Sequence, residues 1–109
     1  MIDNILEIVQ DDVKFNYIMQ IPEKYDNYKS RCKMKKIQFN LSFSLFDSLV
    51  KRECHYCKYK SESKINGIDR VDPTKGYTKL NCVPCCWTCN RAKSNMSYKD
   101  FQNYIARFK

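Results

Sequence analysis

At 109 residues the chain is sized for one domain, and with 43% hydrophobic and 29% charged residues it buries only a modest core, of the kind a metal or disulfides must staple. No stretch approaches the roughly 18 consecutive apolar residues of a membrane span, and Met1-Ile2-Asp3-Asn4 lacks the basic flank and apolar run of a secretion signal. A membrane role is excluded and a soluble, intracellular protein is expected. The net charge of +8 is uneven: residues 1–28 hold two basic and six acidic side chains (−4), whereas residues 29–109 hold eighteen basic and six acidic (+12). A field of that sign concentrates a polyanion and favours phosphate contacts through counterion release, which makes nucleic acid the natural partner. A lysine-rich solvated surface is the plainer alternative.

Ile2, Ile5, Leu6, Val9 and Val13, followed by Tyr17, Ile18 and Ile21, fall at spacings of three and four and predict an amphipathic helix that Pro22 ends. Tyr25 to Lys36 is polar and basic without clear period, so it reads as a linker or a phosphate-contacting stretch. The chain thus divides into residues 1–39, an N-terminal helix and basic linker, and residues 40–109, the main domain with a C-terminal helix. Ser42 suits the N-cap of a second helix carrying Leu45, Phe46, Leu49 and Val50, which delivers the chain to its first cysteine pair.

Between Ile65 and Pro84 the helical period is lost. Ile68 and Val71 favour a strand, Asp72-Pro73-Thr74-Lys75-Gly76 is turn chemistry, and Tyr77 to Val83 can return as a second strand. A short helix opening at Pro84 carries Trp87, Asn90, Arg91 and Lys93. Ser97-x-x-Asp100 caps a last helix with Phe101, Tyr104, Ile105 and Phe108 on one face. The sequence holds no internal repeat and no low-complexity segment.

Seven cysteines in an intracellular setting argue for thiolate ligation of a metal over a disulfide framework. Cys54-x-x-Cys57 and Cys86-x-x-Cys89 each offer two thiolates from one tight turn, and together they complete the closed four-sulfur shell of a structural Zn²⁺. Cys82-x-x-Cys85 is a second possible pair; Cys86 and Cys89 are preferred because Cys89 abuts Asn90. His55, inside the first knuckle, can donate to a phosphate or a thiolate, or be an incidental loop residue.

Hydrolysis of a phosphodiester needs a divalent ion, a group that activates water and cations that hold the diester in line. Asp69 at a strand end offers a hard carboxylate oxygen and Asn90 on the helix a neutral carbonyl oxygen, which suits Mg²⁺ or Mn²⁺. Arg70 can grip a phosphate in bidentate fashion. Arg91, Lys93 and the basic stretch from Lys29 to Lys36 are further phosphate contacts.

Gly67-Ile68-Asp69-Arg70, Gly76-Tyr77, Asn81 and Cys86-x-x-Cys89-Asn90-x-x-Lys93 resemble the ββα-metal core of four-cysteine HNH endonucleases, over about residues 40 to 95. The resemblance implies an α+β fold in which a small zinc-stapled ββα-metal core is flanked by helices. It implies a metal-dependent DNA endonuclease that leaves 3′-hydroxyl and 5′-phosphate ends, with Asp69 and Asn90 on the catalytic ion and Asn81 bracing the loop that orients the base. The chain departs from the family at Arg70, which stands where the general-base histidine is expected and cannot take a proton from water. The Asp-Arg and Gly-Tyr pairs are similar to those of PacI-like restriction endonucleases, where a tyrosine replaces the histidine. That likeness implies Tyr77 as base or nucleophile, its pKa lowered by Arg70 and the metal, with His55 as second choice. Double-stranded DNA is the expected substrate, and specificity would be weak or gained by pairing as a homodimer. Two rival readings are a degenerate zinc module that binds nucleic acid without cutting, and a zinc-stabilised adaptor that docks a protein through its acidic N-terminal helix. Removal of residues 1–28 should leave the nuclease core folded.

Overall fold

In the computed structural model the described residues are 2–94 and 96–108, with side chains described from Asp12 onward. The first helix, α1, runs without interruption over Ile2–Lys35, so Pro22 lies inside it and does not end it. The expected apolar positions Ile2, Ile5, Leu6 and Val9 lie outside the described side chains. An interior proline forfeits one hydrogen bond and costs roughly 3 kcal/mol. The tertiary contacts on either side of Pro22 offset that loss. Ile21, Tyr25, Tyr28 and Cys32, spaced four, three and four, form one stripe against the body of the molecule, with Ile21, Tyr28 and Cys32 buried. The Tyr28 hydroxyl accepts from Ile68 N at 3.1 Å and donates to Ile68 O at 3.3 Å, and Tyr25 donates to Leu41 O at 2.7 Å. Tyr25 to Lys36 is therefore no linker. Its helical stripe is written in tyrosine and cysteine, which hydropathy scores as weakly apolar.

Lys36, at φ 57°, ends α1 in a left-handed turn in which Ile37 N reaches Cys32 O at 2.8 Å and Lys36 N reaches Lys33 O. Strand β1 (Phe39–Asn40) follows, and then α2 (Phe43–Val50), whose cap is the expected one: Ser42 Oγ accepts from Leu45 N at 3.1 Å. Phe46, Leu49 and Val50 bury against Ile21 and Tyr28.

Strand β2 (Gly67–Arg70) pairs antiparallel with β4 (Cys82–Cys85) in the register Gly67↔Cys85 to Arg70↔Cys82. The return strand is thus later than expected. Tyr77–Thr78 forms a separate strand, β3, parallel to β1, and a 3₁₀ turn at Lys79–Asn81 leads from it into β4. Gly76 permits the crossing to β1, because a Cβ there would stand 2.7 Å from the Gln38 carbonyl oxygen. Pro84 opens no helix. It lies within β4, in a two-stranded sheet whose outer edge needs no donor, and its carbonyl accepts from His55 N at 2.8 Å.

Helix α3 is Trp87–Lys93, with Cys86 as its N-cap. The last helix, α4 (Tyr98–Ala106), is capped by Ser97 as expected, Oγ accepting from Asp100 N at 3.1 Å. Its apolar face is only partly used: Phe101 is buried and Ile105 packs beside it, while Tyr104 and Phe108 are exposed. The β2–β4 hairpin separates two cores. One joins α1 and α2 around Phe46 and Ile68, and the other gathers the cysteines, Tyr56 and Phe101. The architecture is the expected α+β, and no helix among the described residues is long and apolar enough to cross a membrane.

Candidate active site and zinc centre

The Sγ atoms of Cys54, Cys57, Cys86 and Cys89 all lie within 4.8 Å of one another, and those of Cys57 and Cys86 are 3.6 Å apart. A tetrahedral ion with Zn–S bonds of about 2.3 Å requires sulfurs about 3.8 Å apart, so the cluster fits Zn²⁺. The first knuckle closes through Lys58, at φ 68°, whose N–H reaches Cys54 O at 2.9 Å. The second is the first turn of α3. Hydrogen bonding from the Cys85 thiol, followed by backbone N–H groups, holds Cys54 down to about 3 against the upward push of burial. Cys85 serves as the neighbour of Cys54, and Cys82 belongs to the other core, so neither completes the cluster.

Alternation along β2 sends its side chains to opposite sides of the hairpin. Asp69 points toward α3 and is only 7% exposed. Its Oδ2 accepts from the Tyr56 hydroxyl at 2.6 Å, and the Lys93 ammonium lies 3.2 Å from Oδ2 and 3.4 Å from Oδ1. Lys93, 1% exposed, also donates to Arg70 O at 3.0 Å. Asn90, one turn earlier on α3, donates Nδ2 to Ile68 O at 3.2 Å. A lysine buried this deeply persists only when paired, and Asp69 is its carboxylate. Tyr56 is kept protonated first by burial and then by its bond to Asp69.

Ile68 and Arg70 turn the other way. Arg70 donates to Lys75 O at 3.0 Å and stacks over Tyr77, with 5.2 Å to the ring centroid. Asn81 ties the turn between them: Oδ1 accepts from Asp72 N at 2.9 Å, and Nδ2 donates to Gly76 O at 2.8 Å and Asp72 O at 3.1 Å.

Among solved structures, the rare-cutting HNH restriction endonuclease PacI superposes with a TM-score of 0.65 over 81% of this chain and 75% of that one, at 19% identity. The fold is that of an HNH-type zinc module. No protein-family model matches the chain. In sequence it is 37% identical over 89 residues to the uncharacterized protein R423 of Acanthamoeba polyphaga mimivirus, an alignment covering 82% of this chain and 16% of that protein. The chain thus spans less than one-fifth of that relative's length.

Between β2 and α3, Lys93 pairs with Asp69 and Asn90 bonds the carbonyl of Ile68, the residue before Asp69. Three expectations change. Lys93 is a buried partner of Asp69 and not a surface cation for phosphate. Tyr77 packs among Tyr28 and Phe39 on the far side of the hairpin, and burial, the largest influence, raises its pKa over the opposing pull of Arg70. His55 Nε2 lies 2.8 Å from the Tyr98 hydroxyl in a hydrogen bond between the first knuckle and α4. Arg91 projects outward over Trp87, which is 70% exposed. Tyr56 is the functional neighbour that sequence reasoning missed: it occupies a variable position of the first Cys-x-x-Cys, where spacing constrains nothing. For a catalytic Mg²⁺ or Mn²⁺, Asp69 and Asn90 fit in donor type. Asn90 spends its amide nitrogen on Ile68, and no described residue donates to its oxygen.

Proposed function

We propose that the chain is a metal-dependent DNA endonuclease that hydrolyses phosphodiester bonds in double-stranded DNA and leaves 3′-hydroxyl and 5′-phosphate ends. Residues 40–109 form the endonuclease domain in this reading and residues 1–39 its N-terminal segment. The observation that carries it is the meeting of Asp69 and Asn90 between a β-hairpin and a cysteine-clustered helix, in an HNH fold. Mg²⁺ or Mn²⁺ bound by Asp69 and Asn90 would polarise the phosphoryl oxygen and neutralise the leaving oxyanion.

The protein's own groups do the rest. Lys93 and Tyr56 fix the Asp69 carboxylate in one orientation. Asn81 holds the 72–76 turn, and with it Arg70 and Tyr77. Arg70 steadies the diester, and Arg91 contacts phosphate from the surface of α3. His55, beside the Asp69-bound Tyr56, is the proposed base; Tyr77, expected in that role, lies on the far side of the hairpin with its phenol pKa raised by burial. A homodimer would place two such sites on the two strands of a duplex.

A second reading, a module that binds nucleic acid without cutting it, is favoured by one observation: an ammonium already sits against both oxygens of Asp69. Supercoiled plasmid separates the two. The endonuclease nicks it with Mg²⁺ or Mn²⁺, and DNA ligase reseals the nicks because the ends are 3′-hydroxyl and 5′-phosphate. Nicks that ligase leaves open contradict the proposed products, and intact plasmid bound by folded, zinc-loaded protein supports the binding module.

A further inference from the structure

On the side of β2 away from Asp69 lies a small hollow of about 70 Å³, lined by Tyr28, Arg31, Cys32, Lys35, Arg70 and Tyr77. Three cations reach it from two elements: Arg31 and Lys35, one turn apart on α1, and Arg70 from β2. Stacking holds two of them in place. The Arg31 guanidinium lies 4.8 Å from the Tyr28 ring centroid, and Arg70 lies 5.2 Å from that of Tyr77.

Among the described residues the ion pairs are Lys51–Asp47 and Lys93–Asp69, so no described carboxylate forms an ion pair with Arg31, Lys35 or Arg70. The nearest acid along the turn, Asp72, is spent on Thr74, accepting from its N–H at 2.9 Å and its hydroxyl at 2.6 Å. The three charges converge. Burial raises the Cys32 thiol, and Arg70, Arg31 and Lys35 all pull against it. The C-terminal carbonyls of α1 supply the opposing negative potential, so an anion here is held by side chains and not by the helix end.

We propose that Arg31, Lys35 and Arg70 form an anion subsite for a single tetrahedral phosphate, and that its natural occupant is a backbone phosphate of DNA. The hollow is small and partly open, which suits a compact anion. Arginine forks match phosphate oxygens in bidentate geometry; Arg31 gives Nε–H to Asn27 O and Arg70 one Nη to Lys75 O, which leaves their remaining N–H groups to donate. The assignment of DNA rests on the endonuclease reading; the anion subsite itself does not. It gives α1 a task in substrate binding, at the point where its basic end meets the turn that Asn81 braces.

The test uses the full zinc-loaded chain in the absence of divalent ions other than the bound zinc, so cutting plays no part. Inorganic phosphate is titrated while the arginine Nε–H resonances are followed. Arg31 and Arg70 are expected to shift together, and Lys35→Ala to weaken the apparent affinity about two- to fivefold. In Arg31→Ala/Lys35→Ala the Arg70 response is expected to vanish, and the dependence of log Kd on log salt for a DNA duplex to flatten by about 0.9, one phosphate contact. Arg31 and Lys35 are exposed, so these variants retain the fold, which zinc content and circular dichroism check. An Arg70 shift that persists unchanged in the double variant, or no shift in the wild type, would overturn the subsite. A phosphate response that survives in a protein unable to nick plasmid would instead remove the endonuclease reading and leave the subsite in place.

Discussion

Lys93 is the cation paired with Asp69, and a buried carboxylate stripped of such a partner is costly. Lys93→Met leaves Asp69 with the Tyr56 hydroxyl alone and is expected to destabilise the zinc-loaded protein by about 3–5 kcal/mol in urea unfolding. Tyr56→Phe removes one donor from the same oxygen, and a loss of about 1–3 kcal/mol is expected. Equal unfolding midpoints for wild type and Lys93→Met would mean that the pair is not formed. Tyr28 supplies a second residue-level prediction. Burial pushes its phenol up to about 12 from an ordinary 10.0. Between those values the unfolded chain has released the proton that the folded chain still holds. Stability from this group is therefore intact below pH 10 and falls as the pH rises toward 12. Tyr28→Phe should flatten that alkaline decline, and an identical decline in both proteins would count against the assignment. Sequence made the strand under Asp69 and the helix under Asn90 legible, because β-forming residues and the second cysteine pair mark each locally. It hid Tyr56 and the burial of Lys93, since both depend on which side of the hairpin faces α3.

At the scale of elements, the caps were legible and the pairings were not. Ser42 and Ser97 act through bonds to residues three positions on, so local sequence carries the whole signal. The exchange of partners by Tyr77–Thr78, which leaves the hairpin for Phe39–Asn40, depends on a contact 38 residues away in register. Gly76 marks that crossing: Gly76→Ala sets a methyl against the Gln38 backbone and is expected to cost about 1–3 kcal/mol. Pro22 misled in the opposite direction, because its local penalty was real but smaller than the burial of the stripe beyond it. Pro22→Ala restores the missing hydrogen bond and should stabilise α1 by up to about 3 kcal/mol, with a rise in helical circular dichroism. A loss of helix in that variant would show that Pro22 has a role the hydrogen bond does not describe.

For the molecule as a whole, two cores back onto one hairpin, and each depends on something a short chain cannot provide by apolar burial alone. The first depends on α1. Deleting residues 1–28 removes Ile21, Tyr25 and Tyr28, so such a fragment should fail to fold cooperatively, contrary to the expectation that the core stands without it. The second depends on four thiolates, and stripping zinc with a chelator should abolish its cooperative melting. The composition foretold this dependence, since a modest core with seven cysteines calls for a metal, but it could not foretell that the N-terminal helix is the other support. The most direct measurement is nicking of supercoiled plasmid by wild type, Asp69→Ala and Asn90→Ala, each zinc-loaded, with Mg²⁺, Mn²⁺ or EDTA. The account predicts metal-dependent nicking by the wild type that falls by at least about a hundredfold in both variants. Nicking that persists in EDTA, or that survives Asp69→Ala, would contradict it.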